Sequence, residues 1–448
     1  MANYFDRARA QEISEKVLTF SQADQARVNL SSGMEGNTRF AVNQISTAGD
    51  VFDATLLVSS AFGNRVASAT TNSFDDESLE RVVRTSEQLA RLVPEDPEYM
   101  GELEPQDYVD ADMVADSTAN LSPAERARAI TAVTEPAAEQ GLLSTGFLSH
   151  TTGQSSVANS AGLFAYQDRS LVTFTTTVRT PDGTGSGWAG GGSKDWNDLD
   201  LADIGERAIE KAINSRNPRD VEPGRWTVIL EPTAVANMIN LMMFSLNARF
   251  ADEGRSFFSR EGGGNKIGEQ FVDERVTIYT DPADARLAPN LFNGEGLPNR
   301  RMEWVTGGVL QNLAYDRYWA SQQGVEPTGF VSGYYMEGGD TTLEEMIAST
   351  DRGLLVTRLW YIRSVDPRTI SFTGLTRDGT FLIENGRISH AVKNLRWNES
   401  PVFMLNNLEA MGRSVPVSAT ESGGTSPTVM VPPIKARDFN FTSTSDAV

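Results

Sequence analysis

The 448-residue chain has no cysteine and only two histidines, His150 and His390. The first absence removes disulfides, thiolate nucleophiles and sulfur metal ligands together. The second removes the helix by which a zinc protease holds its metal, because that helix needs two imidazoles about one turn apart and a glutamate to take a proton from the bound water. Positive charge is also scarce, with 39 Lys and Arg against 60 Asp and Glu, a net charge of -21. Phosphate affinity comes from cationic charge and counterion release, so this balance argues against general binding to nucleic acid or to an anionic membrane. No run is long and apolar enough to span a bilayer, and the amino terminus shows no apolar stretch ending in a cleavage site, so a cytoplasmic location is expected. Neither G-x-S-x-G nor a P-loop occurs.

What is present exceeds one hydrophobic core. Pro223-Gly224 separates a half that alternates helices and strands from a half that is mostly strands. The fold expected is α+β, with an amino-terminal α/β domain over residues 1–222 and a β-rich carboxyl-terminal domain over 223–448 containing a curved sheet or partial barrel. In the first half a helix is expected over 5–18 and strands over 27–31 and 53–62, with Gly33 and Gly36 marking the turn between them. Ser73 and Asp76 suit a capping box for a helix reaching Val93, and Ser122-Pro-Ala-Glu125 suits another. Between these helices, residues 94–116 hold nine acids and no base, which describes an exposed connector. Residues 142–178 alternate like antiparallel strands, with Phe164, Tyr166, Leu171, Val172 and Phe174 as candidates for the buried side. Gly185-Ser-Gly-Trp-Ala-Gly190 matches the letters of a dinucleotide fingerprint but opens no helix, so residues 181–193 read as a mobile lid with Trp188 at its apolar tip. An amphipathic helix follows over 197–215.

Residues 231–254 read as one buried helix, opened by Pro232 and Thr233 and stopped by Gly254. Its polar residues Asn237, Asn240 and Asn247 form a stripe along an apolar rod, and such a stripe needs water, a polar cavity or another chain to satisfy it. Further on, residues 353–362, 369–375 and 380–383 read as strands, and Asn385-Gly386 as a tight hairpin turn. Residues 352–396 carry eight Arg and Lys against three acids. They are either paired with surplus acid elsewhere or form a cationic wall for a peptide carboxylate or an acidic partner. His390 alternates in phase with Ile388 and Val392 and reads as a packed core histidine, whereas His150, beside Thr151 and Thr152, reads as more exposed.

The runs Gly353 to Thr369, Thr373 to Gly386 and Val392 to Pro401, with echoes at Thr38 to Asn43, Gly254-Arg-Ser256, Gly338 to Glu345 and Asp438 to Ala447, resemble the TldD/PmbA family, also called modulators of DNA gyrase. The resemblance implies a dimer enclosing a proteolytic chamber. It also implies two subunit types: a TldD type, whose H-E-x-x-x-H helix and downstream cysteine hold zinc and cut unfolded peptides bound as an added strand, and a PmbA or TldE type without those ligands. Counted back from Gly254-Arg-Ser256, the metal helix falls near Ile239, Asn240 and Phe244, none of which is a zinc ligand. The chain therefore resembles the non-catalytic PmbA/TldE-like branch, with no catalytic or metal residue of its own and zinc expected only in a TldD-like partner. Its implied partners are that subunit in a heterodimer, or a second copy in a homodimer, together with unfolded peptide, and neither nucleic acid nor membrane. Asn237, Asn247, Arg249, Ser256, Trp188, Arg358 and Arg363 are the candidate chamber or interface residues. Two other readings stay open: a stand-alone hydrolase with a non-metal nucleophile, and a homodimeric peptide-binding scaffold.

Overall fold

The computed structural model describes residues 4–329, 333–418 and 428–445, so the last two positions of the Asp438 to Ala447 match lie outside it. Six strands form one antiparallel sheet: β1 (Gln25–Ala41), β2 (Gln44–Phe62), β3 (Arg65–Thr71), β4 (Leu143–Asn159), β5 (Phe164–Arg179) and β6 (Ser186–Ser193), in the order β3-β2-β1-β4-β5-β6. Helices α1 (Arg7–Phe20), α2 (Asp76–Leu92), α4 (Pro123–Glu139) and α5 (Leu201–Asn214) lie on one face of it, with the single turn α3 (Asp116–Ala119) before α4. Val28 and Leu30 meet α1 and α2, while Phe40 of the same strand meets α4 and α5 with Val172 and Phe174. All three β1 residues share one parity, so the helices cover a single face and the other stays open along much of its length.

The second half begins with β7 (Gly224–Leu230), α6 (Pro232–Phe244) and α7 (Ala248–Asp252). Then come β8 (Ile278–Thr280), β9 (Met302–Thr306), β10 (Val309–Leu310), α8 (Arg317–Gln323), β11 (Tyr335–Met336) and α9 (Leu343–Ala348). The chain closes with β12 (Arg352–Asp366), β13 (Ser371–Glu384), β14 (Arg387–Ala391), β15 (Asn394–Glu399), α10 (Pro401–Asn406), β16 (Leu408–Met411), β17 (Val415–Ser418), β18 (Thr428–Val431) and β19 (Ile434–Ser445). Strands β12, β7, β19, β15 and β13 follow one another, and β12 pairs back onto β13, so the expected partial barrel is a closed one of five strands. A third sheet runs β10-β9-β8-β11-β18-β17. Helix α6 packs against both β12 of the barrel and β17 of this sheet, and Ala234, Val235, Met238, Ile239 and Met242 are fully buried.

Several local expectations need correction. Gly33 and Gly36 lie inside β1, which runs on to a two-residue turn at Val42 and Asn43, both left-handed at φ 51° and 60°. Asn43 supports that unusual turn with its side chain, donating to Leu142 O at 2.7 Å and accepting from Ser144 N at 2.6 Å. The cap of α2 is Asp75, accepting from Ser78 N, and not Ser73. Of the residues expected on the buried side, Val172 and Phe174 are fully buried, while Phe164, Tyr166 and Leu171 are half-buried. The expected helix over 231–254 breaks at Ser245, and Asn247 starts α7 by accepting from Phe250 N at 2.9 Å. Strand β13 is continuous because Asp378 and Gly379, at φ 54° and 121°, bend it where two separate strands were expected.

The acidic connector is no loose loop either. Glu102 is 3 % exposed and pairs with Arg27 at 3.3 Å, Glu98 meets Arg249 with two contacts of 2.9 Å, and Tyr108 donates to Gly296 O at 2.7 Å. The segment thus straps the first sheet to the second half.

The glycine-rich stretch is likewise a strand. It forms β6 at the edge of the first sheet, and Trp188 is 8 % exposed instead of standing at a lid tip. The glycines serve packing: a Cβ on Gly187 would sit 2.2 Å from Ala208 O, and one on Gly185 2.3 Å from Ala212 O, both on the backbone of α5. A backbone cannot retreat as a flexible side chain can. Gly187→Ala should therefore lower stability by about 1–3 kcal/mol, the usual cost of overpacking, seen as a lower urea midpoint at unchanged slope.

Both histidine readings are reversed. His390 is half exposed, with Ser389 Oγ 3.1 Å from its Nδ1, and Ile388 beside it is 47 % exposed, because β14 is an outer strand of the barrel sheet. His150 is 4 % exposed, its Nε2 2.8 Å from Nη1 of the fully buried Arg126, which also binds Asp50 at 2.6 Å. Gly36 opens room for this cluster, since a Cβ there would lie 2.1 Å from His150 Nε2. Burial and then the Arg126 charge press the imidazole pKa down to about 4. The unfolded chain thus binds a proton at His150 between pH 6.5 and 4 that the native chain does not, so stability should fall as pH drops through that window. Thermal melts of a His150→Gln variant should lose that part of the pH slope.

Candidate functional site

A groove of about 690 Å³ opens between β6 and β17 over the amino terminus of α6. Both strands are the outermost of their sheets, so among the described residues their outer main-chain groups pair with no other strand. Trp188 and Gly190–Gly192 of β6 form one wall, Val415–Val417 of β17 another, and Glu231–Thr233 the end at α6. Lys211, near the end of α5, pairs with Glu231 at 2.6 Å, each side chain 16 % exposed. No local sequence pattern announces that pair, because Lys211 lies near the end of α5 and Glu231 at the N-cap of α6, twenty residues on. The missed strand β17 carries a proline and only four residues, which is too short for a periodic signal.

Trp188 lies in this wall for an electrostatic reason. The guanidinium of Arg358, on β12, sits 4.9 Å from the Trp188 ring and 5.0 Å from the Trp360 ring. Its carboxylate partner is Asp378, at 3.4 Å, and Asp378 also accepts from Ser186 Oγ at 2.6 Å. Strand β6 is thereby fastened to the barrel through a buried charge clasped by two indoles. Four further cations of the 352–396 window are also occupied: Arg352 stacks on Trp226, Arg377 on Trp360, Arg363 on Tyr361, and Lys393 pairs with Asp220. They do not line up as a continuous cationic wall, and of Arg358 and Arg363 only the first stands behind the groove.

The remaining candidate residues scatter. Asn237 is 4 % exposed and Asn240 half-buried, while Asn247 leaves the row because α6 has ended. Arg249 holds the acidic connector and Glu253, and Ser256 is a turn residue whose Oγ accepts from Phe258 N at 3.1 Å. At the three metal-helix positions, Ile239 is fully buried, Asn240 half-buried and Phe244 78 % exposed. None offers a donor suited to zinc, and among the described residues no three His, Cys, Asp or Glu side chains gather to hold a metal ion. The residues present do not fit that metal.

Fold and groove define a mixed α+β protein in which two sheet edges converge on a buried helix beside a five-stranded barrel. Two family models match the chain: the PmbA/TldA metallopeptidase central domain over residues 108–216 and the C-terminal domain over 223–443. The chain belongs to the PmbA/TldD family. A relative described as a metalloprotease in Methanothermobacter thermautotrophicus is 25% identical over 231 residues, 48% of either protein. The match thus spans about half the length of that curated relative. The crystal structure of TldE from Thermococcus kodakarensis superposes with a TM-score of 0.85 at 20% identity, covering 97% of this chain and 100% of that one. A candidate modulator of a DNA gyrase from Thermotoga maritima gives 0.82 at 18% identity, with 97% and 100% covered. At these identities the two structures establish the fold. No helix among the described residues is long and apolar enough to cross a membrane.

The Arg358 clasp makes its own prediction. Removing Arg358 would leave the buried Asp378 with a looser cation, Arg377 Nε at 3.8 Å, and the Ser186 hydroxyl. Arg358→Leu should destabilise the protein by roughly 3 kcal/mol or more, and adding Asp378→Asn should recover much of the loss in a double-mutant cycle.

Proposed function

We propose that this chain is the non-catalytic, PmbA/TldE-like subunit of a cytoplasmic metalloprotease complex that degrades or processes unfolded peptides. A TldD-like subunit would supply the zinc and the cleavage chemistry. The observation that carries the reading is the groove itself, where two edge strands face each other over α6 while the helix positions expected to ligate a metal hold Ile239, Asn240 and Phe244. An extended chain added to either edge is held by main-chain hydrogen bonds, which do not depend on its sequence, whereas most main-chain groups of a folded protein are already paired within it. Unfolded peptide is therefore the class of ligand the groove suits. The family match and the metalloprotease description of a relative support a proteolytic setting.

The test is the native complex, drawn from its own cell through a tag on this chain and weighed for mass and metal. A related chain bearing H-E-x-x-x-H, carrying the zinc, is the expected companion, and the tagged chain purified alone should neither bind zinc stoichiometrically nor cleave peptide. Stoichiometric zinc with chelator-sensitive peptidase activity from this chain alone would overturn the reading. A clean homodimer without a protease companion would replace it with a peptide-binding scaffold, and a serine-directed label mapping to one residue would replace it with a metal-independent hydrolase.

A further inference from the structure

The open face of the first sheet carries a separate cavity of about 450 Å³, walled on one side by Leu287 and Ala288 from the second half. The strand register sets out its floor. Asp53, Gly33, Gly153 and Arg169 lie side by side across β2, β1, β4 and β5. The next row toward the β1–β2 turn is Val51, Glu35, Thr151 and Leu171, and the row on the other side includes Ser31, Ser155 and Gln167. Side chains alternate along strands, so all these residues share the face away from the helices.

At the centre the sheet is bare. A Cβ on Gly153 would meet Ser32 O at 2.7 Å and the Gly33 Cα at 3.0 Å, and one on Gly33 would meet Thr152 O at 3.0 Å. The strands approach too closely there for side chains, which leaves a smooth floor two strands wide. Coiling of the sheet alone accounts for the glycines. It does not account for what flanks them. On one side stand the carboxylates of Glu35 and Asp53, both exposed and neither in an ion pair with a described residue. On the other stands Arg169, whose Nη1 donates to Asn290 Oδ1 at 2.7 Å, the only hydrogen bond its guanidinium makes among the described residues. Opposite charges thus face each other across uncovered backbone.

The spacing selects a size. Three inter-strand steps of about 4.8 Å separate the Asp53 and Arg169 backbones by about 14 Å. Side chains leaning inward shorten that gap, and an extended peptide spans about 3.3 Å per residue. We propose that this cradle binds a short zwitterionic peptide of three or four residues, with its ammonium group at Asp53 and Glu35, its carboxylate at Arg169 and its main chain over Gly33 and Gly153. Charge-assisted hydrogen bonds at both ends would discriminate free termini from the interior of a longer chain. The ligand class rests on the peptide-handling function proposed above, and the cradle adds a place where product-sized fragments are held apart from the groove.

Titration calorimetry of the full chain with trialanine, its N-acetylated form, its C-amidated form and the doubly capped peptide tests this. Free trialanine should bind, and either cap should weaken it about tenfold. Arg169→Gln should weaken the free and acetylated peptides and leave the amide unchanged, whereas Asp53→Asn with Glu35→Gln should weaken the free and amidated peptides and leave the acetylated one unchanged. All three positions are exposed, so the variants should keep the fold, which circular dichroism checks. Equal binding of free and doubly capped trialanine, no binding of the free form, or indifference to these substitutions would each overturn the cradle. A long, terminally capped unfolded peptide separates the two proposals. If it binds while trialanine does not, the cradle fails and the groove stands; if trialanine binds as described and no long peptide or protease companion does, the cradle stands and the subunit role fails.

Discussion

Strand β6 is held between the backbone of α5 and side chains of the barrel, and much of the architecture depends on that squeeze. On one side α5 comes so near that Gly185 and Gly187 have no room for a Cβ. On the other, Ser186 and Trp188 reach the barrel through Asp378 and Arg358. Because the glycines carry no side chains, α5 can seat directly on the strand, and this brings Lys211 within reach of Glu231 at the start of α6. The edge of the first sheet is thereby placed across from the edge of the third. A bulkier β6 would push α5 away, and the groove would lose its wall and its charged end together.

The charge pattern follows a related logic. A net charge of -21 would suggest a surface that simply repels anions, yet acids are used to tie distant segments together. Glu98 and Glu102 fasten the connector to Arg249 and Arg27, and Asp378 holds Arg358 between two indoles. A half-exposed pair such as Glu98 with Arg249 contributes little, whereas a carboxylate as enclosed as Asp378 depends on its cations, Arg358 at 3.4 Å and Arg377 at 3.8 Å. Within the positive window over 352–396, Arg358, Arg377 and Lys393 meet acids, while Arg352 and Arg363 lie against aromatic rings.

Elements with a local signature were legible in the sequence. The Ser122 capping box, the Asn385-Gly386 turn and the antiparallel pairing of residues 142–178 all form as their residue patterns dictate. What the sequence hid was decided by partners far along the chain. Gly33, Gly36 and Gly185–Gly192 look like breakers because glycine usually is one, but here each row of glycines answers a close neighbour: a second strand, a buried arginine, a helix backbone. His150 reads as exposed from its threonine neighbours, and only the register that sets it against Gly36 and beneath Arg126 shows why it is buried. The groove escaped for the same reason, since β17 and the Lys211–Glu231 pair have no periodic pattern. The family resemblance located α6 as the place to look, but not the edges that converge on it.

Helix α6 shows how the positions counted as a metal helix are used for packing in this chain. A regular helix turns about 100° per residue, so positions 239 and 244 point about 140° apart. The structure agrees: Ile239 is fully enclosed by the core and Phe244 stands 78 % exposed at the last position of the helix. The first position is taken up by the core and the last by the exposed end of the helix, and neither Ile nor Phe carries a zinc donor. Around them Ala234, Val235, Met238 and Met242, all fully buried, hold α6 against the barrel and the third sheet. The same apolar rod anchors the floor of the groove, so the place where the resemblance puts a metal helix serves in this chain to seat the two edges that converge on it.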